Sequence, residues 1–376
     1  MANLVGYAVG HAALVAAAIA GTIAIGIALF NRLHGRPLTC RQMRRRGRLL
    51  IAVTLAAVVT LIVAETQGGP LWDRPIYATA VVALSLGLLI PIAAVIRNVL
   101  HRERAVRERS ATRTRVSDEA RGDGSLAPLA KLPGNQLLEI ELTRKTLAVR
   151  GGEAVDGLTI LHLTDWHFSG VPDRGFYERA AELAGQTQPD LAIFSGDLID
   201  RMDLLGWLPD TLGQIDARLG RFFVLGNHDW MQQPATIRTA VADLGWTDVA
   251  GRTVTVERGP ETIELGGSER PWMGEEPAFA SDGFRIAVTH TPDRLPWAIT
   301  NGCPLALAGH NHGGQVRIPL LGPILSPSKS GTRYAGGVYE RGGTALHVGR
   351  GLGALHPLRM CCRPEITLLT LVGEDS

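Results

Sequence analysis

Asp165 and His167, Asp197, Asn227 and His228, His290, and His310 and His312 each stand just after a short apolar run in the chain. The runs cover residues 157–164, 190–195, 221–225, 284–289 and 305–308 and are rich in aliphatic and β-branched side chains. Each reads as a buried strand that ends in a polar tip. The tips offer carboxylates, imidazoles and one amide. This mixture of hard and borderline oxygen and nitrogen donors suits Mn, Fe or Zn and differs from a thiolate site. Glycines beside the donors (Gly196, Gly226, Gly309, Gly313) would let the backbone turn sharply and bring groups from separate strands together. A single Asp-x-His or Gly-Asp pair carries little weight, whereas five such tips in chain order form a coherent set.

Donors on strand tips need a scaffold. Residues 177–185 and 204–219 lie between the tips and space their apolar side chains as amphipathic helices do. Strands alternating with helices imply an α/β domain with its site at the strand carboxyl ends. This domain is expected to span residues 136–373. Residues 99–135 read as a basic flank and linker, because Gly122, Gly124, Pro128, Pro133 and Gly134 break any helix and no apolar periodicity is present.

The 376 residues leave room for a second unit, and a composition 45% hydrophobic and 20% charged excludes a disordered or collagen-like chain. Four cysteines (Cys40, Cys303, Cys361, Cys362) are too few and too scattered for a disulfide framework, which is compatible with a reducing compartment. The net charge of +2 conceals a division: residues 1–115 carry 15 Lys+Arg against 4 Asp+Glu, leaving 23 against 32 in residues 116–376. An acidic second part offers no surface for nucleic-acid binding, which depends on neutralising phosphates with cations.

The basic surplus has a topological reading. Residues 1–98 are expected to form a membrane anchor of three helices at about 4–30, 49–65 and 76–96, since a span needs about 20 apolar residues. The unusually long first run and the lack of a basic leader segment argue against a cleaved signal peptide. Seven arginines lie between residues 31 and 48, seven more between 97 and 115, and only Arg74 lies between the second and third spans. Positive flanks stay cytoplasmic, so the catalytic part is expected inside, at the inner or plasma membrane of a bacterium. The same arginines are expected to touch anionic lipid headgroups.

The five tips, with Gly313-Gly-Gln-Val-Arg-Ile-Pro-Leu-Leu-Gly-Pro, Gly349-Arg-Gly-Leu-Gly and Arg363-Pro-Glu-Ile-Thr-Leu-Leu, resemble the calcineurin-like metallophosphoesterase superfamily. Within it they are similar to the membrane-anchored, YkuE-like bacterial branch. Trp166 stands where that pattern has Leu, and Asn311 where it has Thr. The resemblance implies a four-layer α-β-β-α sandwich and a hydrolase of phosphoester or pyrophosphate bonds that uses two divalent transition-metal ions. It implies one metal on Asp165, His167, Asp197 and His312, and another on Asp197, Asn227, His290 and His310. A bridging carboxylate agrees with that division, since it is the residue type that holds two cations about 4 Å apart. Hydroxide held by two such metals would attack phosphorus in line with the leaving group, and the resemblance makes His228 the proton donor. Asp229, next in the chain, is expected to hold the His228 ring.

Other residues read more plainly. His162, His347 and His356 are expected to satisfy local hydrogen bonds, and Cys361 and Cys362 to pack as small side chains. Arg317 and Arg350 are expected either at a substrate phosphate or on the surface. The rival to a hydrolase is a catalytically silent metal-binding module that tethers a partner at the membrane. A transporter is disfavoured, because the spans lack Asp, Glu, Lys or Arg at mid-depth. A lipid-linked phosphate is the expected substrate of an anchored enzyme. The sequence points to no protein partner.

Overall fold

The computed structural model describes residues 2–66, 75–101, 103–123, 126–354 and 356–374. It forms two compact units: one holds the residues up to His101 together with Pro319–Arg333, the other Arg102–Ile318 with the residues from Tyr334 onward.

The first unit contains the helices Ala2–His34, Cys40–Thr66 and Pro75–Ser85, the last continuing through a 3-10 turn at Leu86–Leu88 into Leu89–Leu100. Among the described residues, Gly10–Leu33, Arg41–Thr66 and Tyr77–Leu100 are long and apolar enough to cross a membrane. Leu49, Val53, Leu86 and Leu100 stand outward and exposed, as lipid-facing side chains would. Gly21 and Gly87 meet backbone to backbone, and a Cβ on either would strike the opposing chain. Small residues allow such approach between helices that gain nothing from apolar burial in lipid. The second helix starts earlier than the sequence suggests. Arg41, Arg44, Arg45, Arg46 and Arg48 form its first turns instead of a loop. Long unbranched side chains favour helix, and arginine at a span end reaches water along its aliphatic stem. Arg74 and Gly124, which the sequence pattern drew on, lie outside the described residues.

The second unit is built on two sheets. The first runs, in spatial order, Val106–Arg115, Glu139–Val149, Glu365–Gly373, Thr159–Leu163, Leu191–Ser195, Gly220–Val224 and Thr247–Asp248. The second runs Gly337–Arg341, Thr344–Val348, Leu305–Ala308, Phe284–Thr289, Glu261–Ser268 and Thr253–Arg258. Thr159–Leu163, Leu191–Ser195 and Gly220–Val224 are mutually parallel, as are Phe284–Thr289, Leu305–Ala308 and Thr344–Val348. The carboxyl ends of each set therefore lie together.

Ile160, Ile193, Val224 and Leu369 from the first sheet share one core with Ile263, Ile286, Leu307 and Val338 from the second. The helix Arg174–Gly185 buries Phe176, Tyr177 and Ala180 on the outer face of the first sheet. The helix Leu295–Thr300 covers the second sheet with Leu295, Trp297 and Ala298. This is the four-layer α-β-β-α sandwich.

A polar network crosses the sandwich interior. His162 on the first sheet and His347 on the second meet through their Nδ1 atoms at 2.8 Å. His162 Nε2 lies 2.9 Å from Ser195 Oγ, and Lys145 Nζ 3.3 Å from His347 Nε2. Lys145 also faces Glu365, which pairs with Arg350 at 3.0 Å, and Arg350 donates to Glu141 at 2.7 Å. Arg350 is thus half-buried and engaged in ion pairs with Glu365 and Glu141. Burial lowers the His162 pKa to about 4, so both histidines serve here as neutral hydrogen-bonding groups.

Two expected elements differ. Residues 204–219 form no amphipathic helix; 3-10 turns at Met202–Trp207 and Leu212–Gln214 take their place. Pro209, which removes an interior N–H, and the glycines at 206 and 213 disfavour a continuous helix despite the apolar spacing. Residues 99–135 are more than a linker. Val106–Arg115 pairs antiparallel with Glu139–Val149 as the edge strand of the first sheet, so the domain begins before residue 136. Almost all of that strand is exposed, which is why it carries charge and shows no apolar alternation. Arg113 pairs with Glu141, and Arg115 with Asp118 and Glu139. Several arginines of the second basic block therefore belong to a sheet edge.

Candidate metal centre

The seven tip residues converge. Asp165, His167, Asp197 and His312 form one group whose donor atoms all lie within 4.8 Å of one another, and Asp197, His290 and His310 form a second. Asp197 is common to both. His167 Nε2 lies 3.5 Å from Asp197 Oδ2 and 3.2 Å from His312 Nε2. On the other side, His290 Nε2 lies 3.2 Å from Asp197 Oδ2, 3.1 Å from Asn227 Oδ1 and 3.1 Å from His310 Nδ1.

The local backbone is unusual. Asp165, His167, Asp197, His310 and His312 all adopt positive φ, between 50° and 70°. Non-glycine residues seldom do so, and such conformations concentrate at functional sites. Here the turn is taken by the donor residues themselves. Gly226 and Gly309 instead make room, since a Cβ at the first would strike Asp197, and at the second Thr164 and Asp165.

The donor set fits divalent cations. Asp197 Oδ2 and His312 Nδ1 are buried with no hydrogen-bond partner. Facing imidazole nitrogens near 3 Å, grouped around a carboxylate oxygen, leave inward lone pairs that the protein itself does not satisfy. Burial lowers the pKa of His310 to about 4 and of His312 to about 3, which keeps both neutral. Neutral imidazole is the metal-binding form. Burial disfavours the Asp165 and Asp197 carboxylates, but the surrounding histidines outweigh it and hold both below the usual carboxylate range.

The model of the calcineurin-like phosphoesterase family matches residues 158–314, a stretch that contains all seven donors and His228. The chain is 30% identical over 240 residues to the phosphodiesterase YaeI of Escherichia coli, covering 62% of this chain and 88% of that protein. The chain belongs to the calcineurin-like metallophosphoesterase family. It is also 30% identical to the uncharacterized metallophosphoesterase YkuE of Bacillus subtilis, over 58% of this chain and 81% of the relative. A zebrafish (Danio rerio) transmembrane protein with a metallophosphoesterase domain is 26% identical, over 58% of this chain and 54% of that protein. A metal-dependent hydrolase of phosphoric esters is the activity of such a domain.

Within this metallophosphoesterase, His228 lies at the start of the short helix Asn227–Met231 and donates its backbone N–H to Asp197 Oδ1 at 2.7 Å. Its ring is held by Asp200, whose Oδ1 is 2.6 Å from His228 Nδ1. Asp200 also lies 3.1 Å from His167 Nδ1. Ionised carboxylate only accepts, so Nδ1 of each ring carries the proton and each Nε2 faces the other way. Burial lowers the His228 pKa, but Asp200 and then Asp197 raise it further, leaving it above the usual imidazole range.

Asp229 does not perform the role expected of it. Its carboxylate accepts backbone N–H groups of Gly226, Leu198 and Ile199, each at 2.9 Å, and so ties two strand tips together. A side chain next in sequence points into a different environment because the helix turns between them. Asp200 has no role legible in the sequence although it stands three residues after Asp197; only the fold brings it to both rings. Trp272, with no signal in the sequence, packs its ring 5.1 Å from His310 and 5.6 Å from His290. Buried Arg359 donates to the carbonyls of His312 and Gly351.

The two departures from the family pattern sit behind the donors. Trp166 is buried and stacks on Tyr177 at 6.0 Å, and Asn311 Nδ2 donates to Tyr334 O at 2.7 Å. Cys362 is buried against His312 O, whereas Cys361 is exposed, contrary to a packing role. His356 is exposed as well. Arg317 donates to Gly313 O at 3.2 Å.

The Asp200 geometry fixes the sign of one effect. Asp200→Asn removes the charge that raises His228, so the His228 pKa, followed by histidine-selective NMR, should fall. Asp229→Asn should leave that pKa in place and lower the thermal midpoint, since a buried unsatisfied group costs about 1–3 kcal/mol. An unmoved His228 in Asp200→Asn would refute the assignment.

Proposed function

We propose that this chain is a membrane-anchored phosphodiesterase working with two divalent ions of manganese, iron or zinc. Asp165, His167, Asp197 and His312 would hold one ion, and Asp197, Asn227, His290 and His310 the other. The sharing of Asp197 between two buried donor groups is the observation that carries this reading. When bound, the ions polarise phosphate oxygens and lower the pKa of water toward neutrality. His228 offers its Nε2 proton to the leaving oxygen, and Asp200 keeps the ring oriented and charged for that step. Cleavage of a diester is favoured by the similarity to YaeI, which is named a phosphodiesterase.

Elemental analysis tests the metal assignment. The protein should carry about two transition-metal ions and lose activity in chelator. Asp197→Asn should empty both positions. His228→Ala should keep the metals and lower turnover by roughly 10²- to 10⁴-fold, the usual range for a general acid. That penalty should shrink for nitrophenolate esters, whose leaving groups need no proton. An equal penalty for alkoxide leaving groups would exclude His228 as the acid.

The natural substrate is amphiphilic, a lipid-linked phosphate or nucleotide-diphospho-lipid. Three spans support this, because tethering raises the effective concentration of enzyme at a membrane-borne substrate and does nothing for a freely diffusing one. Turnover by the full chain in vesicles should follow the substrate's mole fraction in the bilayer. Dependence on bulk concentration alone would count against a lipid-linked ester.

The catalytic unit faces the cytoplasm of a bacterium. Arg32, Arg36 and the five arginines opening the second helix support this, since they share one end of the first two spans. Alkaline phosphatase fused at the C-terminus should be inactive and a fluorescent protein there bright. An active phosphatase fusion would reverse the orientation.

A further inference from the structure

Pro319–Arg333 lies outside the three spans in sequence yet belongs to the same compact unit. Asn31 and Asn98 hold it from the ends of the first and third spans. Asn31 Nδ2 donates to Ile324 O at 2.9 Å, and Asn31 Oδ1 accepts Ser326 N–H at 3.1 Å. Asn98 Nδ2 donates to Leu321 O, and Arg97 to Thr332 Oγ1 at 2.9 Å. Spans one and three run in the same direction through any membrane they cross, so their ends mark one face of it.

What the segment displays at that face is apolar. Leu321 N–H bonds back to Pro319 O at 2.8 Å, closing a three-residue turn with Leu320 at its apex and φ +66°. A bulky residue in this region is strained, and a γ-turn with positive φ is rare. The strain puts Leu320 outward at 80% exposure, with Leu325 at 49%. Asn98 holds Leu321, the neighbour of Leu320, and the residues that follow Asn98 on the third helix, Val99 and Leu100, are 52% and 69% exposed. Lys329 and Arg333 are exposed in the same segment, as are Arg32 and Arg36 at the end of the first helix. Residues 319–333 contain no Asp or Glu.

We propose that Pro319–Arg333 is an interfacial segment seated in the bilayer that the three helices cross. Leu320 and Leu325 enter the boundary between headgroups and acyl chains, and Lys329 and Arg333 meet anionic headgroups. An apolar tip with cationic residues in the same segment, held at the ends of two candidate spans, is complementary to that boundary. Pro319 follows His312 by seven positions, so this contact is closer in sequence to the metal centre than any residue of the spans. The inference rests on the three helices being membrane spans and is independent of which ester is cleaved.

The test uses the full chain carrying Cys40→Ser and Cys361→Ser, with a nitrobenzoxadiazole fluorophore on Leu320→Cys, in phosphatidylcholine–phosphatidylglycerol vesicles. Asp282→Cys, on an exposed loop, and Val59→Cys, within the second span, serve as references. Label at 320 should be quenched by lipids spin-labelled high on the acyl chain and protected from iodide, as at 59 and opposite to 282. Omitting phosphatidylglycerol, or adding Lys329→Glu and Arg333→Glu, should reduce the lipid quenching at 320 and not at 59. Iodide access at 320 equal to that at 282 would overturn the proposal. Protection from both quenchers would also overturn it, since protein and not lipid would then cover the leucine. Failure of lipid quenching at 59 would remove the anchor and the proposal together.

Discussion

Asp165 and Asp197 lose nearly all contact with water, at 0% and 1% exposure, and remain ionised. Taking a carboxylate into the interior costs several kcal/mol unless donors replace the lost solvent. The donors come from elsewhere in the chain. Asp165 accepts the backbone N–H of His310 at 2.9 and 3.0 Å, and so joins a tip of the first sheet to one of the second. Asp197 accepts His228 N–H, while its own carbonyl accepts His167 N–H at 3.1 Å. These bonds leave Asp197 Oδ2 buried without a hydrogen-bond partner among the grouped imidazoles, an arrangement that could hold metal ions.

The layers below serve this arrangement. Parallel strands end at a common level, and the glycines at 226 and 309 let carboxylates approach a neighbouring backbone that any side chain would push away. Beneath the donors, the chain from Ser195 through His162 and His347 to Lys145 and Glu365 links the two sheets through hydrogen bonds. Networks of this kind are tolerated in a core only when their members are satisfied, and each of these contacts provides a partner. Asp200 adds a further level of control, fixing one ring that belongs to the donor set, His167, and one that does not, His228.

Much of the site was legible in the sequence because its residues follow short strands, and a strand that stops at a donor is a local signal. Apolar runs likewise located the three helices long and apolar enough to cross a membrane, since a bilayer thickness translates into a countable number of residues. Less legible were elements stabilised by pairing and not by composition. Val106–Arg115 is an edge strand held by its ladder with Glu139–Val149, and its charged, exposed side chains look like a linker to any reading based on burial. Residues 204–219 erred the other way: apolar spacing was present, but Pro209 and two glycines prevented the helix.

Residue identity and order determined by themselves the donor chemistry, the strand-tip positions and the presence of an apolar N-terminal region, because these depend on neighbours along the chain. Tertiary structure alone decided that Asp200 and not Asp229 orients His228, that Arg350 lies in an ion-pair network, and that Trp272 packs on two donor rings. It also decided that Leu320 stands exposed in a segment bonded to the ends of two apolar helices. Each of these depends on a side chain's direction and on a partner far away in sequence, and neither is encoded until the strands have found their register.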